Sequence, residues 1–161
     1  MKNLLILIFL SSCAGFEFDQ ELEYKVDSRI ECHIDKFYRE AAEQGITLYK
    51  NNLIVTIEEI PEVYGGAAGI SVPQGRQNVI IIDPDTYEFF QNKVWNPDPD
   101  SAYYGLENLI YHELGHALLQ RKHECSNCHS IMSPSLSFWA YVGESEERQV
   151  LIRELFATAR R

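Results

Sequence analysis

HELGHALLQRKHECSNCHSIMSP, residues 112–134, brings four histidines, two cysteines and a methionine into one short run. Upstream of it Ser101 is a good N-cap, and Leu106, Leu109, Ile110, Leu114, Ala117 and Leu118 recur at helical spacing. A helix from Ser101 to about Arg121 is therefore expected, carrying His112, Glu113 and His116. Residues four apart on a helix are separated by roughly 40° of rotation and ~6 Å of rise. Both imidazoles project to one side and can share one metal ion, with Glu113 close enough to reach a water on it. This is the HExxH arrangement, in which zinc acidifies a water and the glutamate takes its proton.

A catalytic zinc site needs a third protein ligand and leaves its fourth position open. His123 is the first candidate. On a continued helix it would return to within roughly 20° of the same face but ~10 Å further along the axis than His116, out of reach. The chain must therefore turn out of the helix after about Leu119 to bring His123 back. Glu144 or Glu147 is the second candidate, and Cys125, Cys128 and His129 come third.

Outward from this stretch the chain alternates element signals with breakers. From Glu17 to Gln44, Leu22, Val26, Ile30, Ile34, Phe37 and Ala41 have the spacing of an amphipathic helix ended by Gly45. Leu53–Ile57 is apolar and β-branched on both alternating sets, the pattern of a strand buried on both faces in mid-sheet. A small-residue bend at 64–69 leads to a short strand at Ile70–Val72, a turn at Pro73–Arg76 and a strand at Asn78–Ile82. Asp83-Pro84-Asp85 stops that strand, and a short helix is expected over Thr86–Val94. Asn96 to Asp100 reads as a rigid acidic loop. A last helix over Glu144–Ala159 has acidic residues at its start, Arg160 and Arg161 at its end, and Val150, Leu151, Leu155 and Phe156 as its buried side.

His112-Glu113-Leu114-Gly115-His116, with His123 downstream and then Ser130-Ile131-Met132-Ser133-Pro134, resembles the metzincin clan of zinc metalloproteases, whose signature is HExxHxxGxxH followed by a methionine turn. The resemblance implies an α+β fold: a small metzincin-like zincin domain with a twisted mixed sheet, a backing helix, an active-site helix, a Met-turn and a C-terminal helix. It implies zinc on His112, His116 and His123, with Met132 as an apolar floor beneath the metal. Two departures stand out. Leu119 replaces the glycine that lets the chain leave the helix, and the third histidine comes one residue late, a spacing similar to archaemetzincin-like members, in which the ligand there is a cysteine. Where some members carry an extra tyrosine ligand this chain has Pro134, so Tyr141 is the nearest substitute as an oxyanion stabiliser.

Met1-Lys2-Asn3, seven apolar residues from Leu4 to Leu10, and Ser11-Ser12 have the layout of a secretory signal, too short for the ~20 residues that span a bilayer. Leu10-Ser11-Ser12-Cys13 resembles the lipobox of bacterial lipoproteins, which implies a signal peptide over 1–12, a lipid anchor on Cys13 and export to the membrane surface; the chain length suits one domain, over 13–161, and a monomer is expected. An oxidising compartment favours a disulfide within Cys125-Ser126-Asn127-Cys128, or from Cys32 to that loop, over a second metal site. With 14 Lys plus Arg against 24 Asp plus Glu and no basic cluster, nucleic acid is excluded as a partner. The expected function is endopeptidase hydrolysis of a peptide or protein by a metal-activated water, with Glu113 as general base and acid and an edge strand, Gly69–Val72 or Asn78–Ile82, holding the substrate. The rival functions are a zinc amidase acting on a non-peptide or cell-wall substrate and a non-catalytic zinc-binding surface lipoprotein.

Overall fold

Four strands form one mixed sheet in the computed structural model, which describes residues 21–92, 99–124, 128–134 and 143–157. They are Tyr24–Val26 (β1), Leu53–Ile57 (β2), Gly69–Gln74 (β3) and Gln77–Ile82 (β4), in the order β1-β2-β4-β3. β1 and β4 run parallel to β2, whereas β3 is antiparallel to β4 and forms an edge. The β3–β4 connection is the two-residue turn Gly75-Arg76, in which Gly75 takes φ 63°, the left-handed backbone that short hairpins require. Of the two strands expected to hold substrate, Asn78–Ile82 is thus interior, and only the Gly69–Val72 segment lies on an edge.

Four α-helices accompany the sheet among the described residues: Glu31–Glu43 (α1), Pro84–Gln91 (α2), Pro99–Leu119 (α3) and Glu146–Ala157 (α4). α3 packs on β3 and β4, with α1 and α2 against it. It is buried almost all round, from Tyr104 to Gly115, so it is the centre of the molecule and not a helix with one apolar side. Phe37, Tyr111 and Phe156 meet in the core, with ring centroids 5.1 Å apart for Phe37 and Tyr111 and 5.0 Å for Phe37 and Phe156. Each such buried side chain contributes about 1.5–3 kcal/mol over its exposed state.

Several expectations are corrected. The helix expected over 17–44 is only α1; Tyr24–Val26 is a strand because the backbone there pairs with β2, Tyr24 opposite Leu53, a nonlocal bond that overrides local periodicity. β2 is interior but not evenly buried: Leu53 and Val55 are fully covered, and Ile54, Thr56 and Ile57 only half. α3 begins at Pro99, where a missing N–H costs nothing, so Ser101 lies inside it. Val150 is 52% exposed, and the buried side of α4 is Arg148, Leu151, Ile152, Leu155 and Phe156.

A buried ionic network ties α1, α3 and α4 together. Glu107 on α3 accepts from Lys36 at 2.8 Å and from Arg148 at 2.8 Å, Arg148 also reaches Glu40 at 2.8 Å, and Tyr111 donates to Glu40 at 3.0 Å. Glu144 completes it, accepting from Lys36 at 2.7 Å and from Tyr104 at 3.3 Å.

Candidate metal centre

The ligand geometry begins with how α3 ends. Gln120 takes φ 55°, the only left-handed non-glycine among the described residues, and the Arg121 N–H turns back to the Gly115 carbonyl at 2.9 Å. The chain thus leaves the helix where expected, with Gln120 in the conformation that a glycine usually supplies. The reversal carries His123 back alongside α3, and its Nε2 lies 3.1 Å from His112 Nε2. His116 Nε2 lies 3.1 Å from His112 Nε2, and the three imidazoles offer ligand atoms all within 4.8 Å of one another.

Which nitrogen carries the proton follows from the partners. His112 Nδ1 is 2.7 Å from the Ile131 carbonyl and His116 Nδ1 is 2.6 Å from the Arg121 carbonyl. A carbonyl only accepts, so both Nδ1 atoms donate and both Nε2 atoms keep a bare lone pair. Two lone pairs brought to 3.1 Å repel each other unless a cation binds both. A zinc ion with Zn–N of about 2.0–2.1 Å in tetrahedral geometry would set its nitrogens about 3.3 Å apart, close to the spacing found. Burial holds His112 down to about 4, and also lowers His116, so both favour the neutral form that a metal needs.

The methionine turn holds this arrangement from below. Met132 is fully buried, and a Cβ built on Gly115 would lie 2.5 Å from its Sδ, so any larger residue between the two helical histidines requires the methionine to shift. The turn's Ile131 carbonyl orients His112, and its Met132 carbonyl accepts from the Glu124 N–H at 3.2 Å, beside His123. Ser130 Oγ accepts from the Met132 N–H at 3.2 Å and donates to Glu154 at 3.0 Å. Arg121, 8% exposed, donates to the Glu154 and Leu155 carbonyls at 2.9 and 2.8 Å and pairs with Glu124, tying the His116 acceptor to α4.

Glu113 is 5% exposed and lines the same cleft, of about 510 Å³, as the three histidines. Burial pushes its carboxyl up to about 7, near the point where proton uptake and release are balanced at neutral pH. The start of β3 presses on it: a Cβ on Gly69 would lie 3.2 Å from Glu113 Cγ and 3.2 Å from Leu109 Cδ1.

The other third-ligand candidates lie elsewhere. Glu144 is engaged by Lys36, Tyr104 and Arg148, and Glu147 faces His129 at 3.4 Å. Cys128 is in a disulfide and has no thiolate to offer, while Cys32 is a free, exposed thiol, which rules out its bridge to the loop. Cys13, Cys125 and Tyr141 lie outside the described residues. In the sequence Arg121 has no role beyond the expected helix end, and its burial and its bonds to α4 appear only in the fold. No known family, no curated protein and no solved structure matches this chain.

Proposed function

We propose that the chain is a zinc-dependent endopeptidase of metzincin-like architecture, with His112, His116 and His123 as ligands and Glu113 as general base and acid. The observation that carries it is the convergence of three imidazole nitrogens, two in the tautomer that leaves a lone pair, beside a buried carboxylate. Their cleft is also walled by Gly69, Ile70 and Ser71 of the edge strand. Among the described residues the cluster is three histidines, which suits an open catalytic position, whereas structural zinc sites are closed by four protein ligands. The element order supports the metzincin-like reading: α1 comes first and packs on α3, β3 is the antiparallel edge, α3 carries the motif, Met132 lies beside it and α4 follows.

A zinc ion held there supplies Lewis acidity, which acidifies water and polarises a carbonyl. Glu113 takes the proton from the attacking water and returns it to the leaving amine; its burial keeps bulk water from competing for that proton. β3, which has no partner on its outer side among the described residues, holds the peptide extended by backbone hydrogen bonds. Export under a lipoprotein signal with Cys13 as the lipidated residue is part of the proposal and rests on the N-terminal sequence. Among the described residues no helix is long and apolar enough to cross a membrane.

The test is cleavage of a mixed peptide library by the zinc-loaded chain beside Glu113→Gln, with zinc content measured in both. The variant should keep its zinc and lose about 10²–10⁴ in rate. Zinc-loaded wild type that leaves every peptide intact would defeat the endopeptidase reading and turn attention to non-peptide amides or to binding.

A further inference from the structure

Residues 58–68 leave the sheet and return to the place they left. The Glu58 N–H donates to the Ile82 carbonyl at 3.1 Å and the Asp83 N–H to the Ala68 carbonyl at 3.0 Å, so both ends are pinned at the end of β4. Compact surface loops with adjacent ends are frequently functional. Between the pins lies a single 3₁₀ turn, Glu62–Tyr64, with no buried residue. Val63 is 84% and Tyr64 45% exposed, so the core does not require these apolar side chains. Gly65 and Gly66 follow at φ 29° and 73°. A Cβ on Gly66 would meet nothing within 4 Å; the glycine is there to redirect the backbone, not to make room.

This turn brings Tyr64 to the wall of the metal-centre cleft, where its neighbours in the lining include Ala67, Ala68, Ile70, Leu109 and Pro134. Among the described residues, and apart from the histidines and Glu113, the lining carries no titratable side chain but the Tyr64 phenol. A cleft of about 510 Å³ has room for a few residues of peptide including one large side chain, and the small residues beside Tyr64 leave the space open. The occupant is set by continuity with β3, the edge strand among the described residues, whose first three residues are in the same wall.

For its place beside the scissile bond this rests on the endopeptidase reading: we propose that Tyr64 is a specificity-determining residue, its ring walling an apolar subsite for a large aliphatic or aromatic side chain of the peptide extended along β3. A charged side chain there would lose hydration against an apolar wall, so the chain should select against it.

The test uses the full chain carrying Glu113→Gln, which can bind without cutting, and fluorescence anisotropy with octapeptides that place Phe, Leu, Ala or Asp at each position in turn. One position should favour Phe and Leu over Ala by about tenfold, adding Tyr64→Ala should reduce that preference to within about twofold, and Tyr64→Phe should keep it. No position with a preference, or a preference that Tyr64→Ala leaves unchanged, overturns the proposal. Parallel cleavage by the zinc-loaded chain with intact Glu113 separates the two readings. There Tyr64→Ala should raise KM for Phe peptides about tenfold with kcat within about twofold. A Tyr64-dependent preference in binding without any cleavage would sustain the subsite and remove the hydrolysis; cleavage with a profile indifferent to Tyr64 would do the reverse.

Discussion

Gly115 shows most clearly how closely the site is built, because the position where its Cβ would stand is 2.5 Å from Met132 Sδ. Gly115→Ala must push the methionine off its seat, and overpacking of this kind costs about 1–3 kcal/mol. The displaced turn carries the Ile131 carbonyl that orients His112, so zinc affinity should fall with stability. Thermal melts of the metal-free protein and a chelator competition would measure the two losses; a fully stable variant with unchanged affinity would show that Met132 is not held by this contact. Gln120→Gly should be neutral or stabilising by up to about 1 kcal/mol, because the left-handed φ of 55° strains a side chain, whereas Gln120→Val should destabilise. At this scale the motif was legible in the sequence because helical arithmetic alone puts His112 and His116 on one side of α3, and it shows that His123 can join them only if the chain turns out of the helix. The clamps were not. Arg121 and Ser130 act through carbonyls and carboxylates of α4, more than twenty residues away, and nothing in their local sequence names those partners.

Between elements, much depends on the buried charges that join α1, α3 and α4. Arg148 is 3% exposed and serves both Glu40 and Glu107; Arg148→Met takes the cation from two buried carboxylates, leaving Glu107 with Lys36 and Glu40 with the Tyr111 hydroxyl, and should cost about 3 kcal/mol, roughly 10 °C in Tm. A loss below 1 kcal/mol would mean that the network contributes little to holding α4. His33, on α1, is 3% exposed, 4.0 Å from Glu107 and close to Lys36; burial is the largest influence and lowers it to about 4 from 6.5, against the opposing pull of Glu107. Between those values the unfolded chain holds a proton that the folded chain does not. Stability is therefore full above pH 6.5 and declines as pH falls toward 4, by up to about 3 kcal/mol from this group. His33→Gln should flatten that slope in urea melts at pH 7 and pH 4.5, and an unchanged slope would count against the assignment. Element by element, β2, β3, β4, α2 and α4 were legible from breakers and alternation, with ends off by a few residues. β1 was not, because the spacing of Leu22, Val26 and Ile30 fits a helix, and only pairing with a strand about thirty residues later makes Tyr24–Val26 extended.

For the whole molecule, the sheet and α3 build an edge and a helix that meet at one cleft, and the resemblance to metzincins expected that meeting without being able to show which strand was the edge. Metal binding should be linked to folding. At zinc a thousandfold above its dissociation constant the folded state gains about 4 kcal/mol, so a chelator should lower the Tm and His116→Ala should remove the difference. The disulfide at Cys128 and the free thiol at Cys32 add a further check: a thiol reagent should modify Cys32 in the native protein and spare Cys128 until reduction. Catalysis at this cleft requires three histidines on the metal with a position left open. X-ray absorption spectroscopy of the zinc-loaded chain tests this directly: it should show imidazole nitrogens at about 2.0–2.1 Å, a further light-atom neighbour and no sulfur. A sulfur shell near 2.3 Å, or no stoichiometric zinc at all, would contradict it.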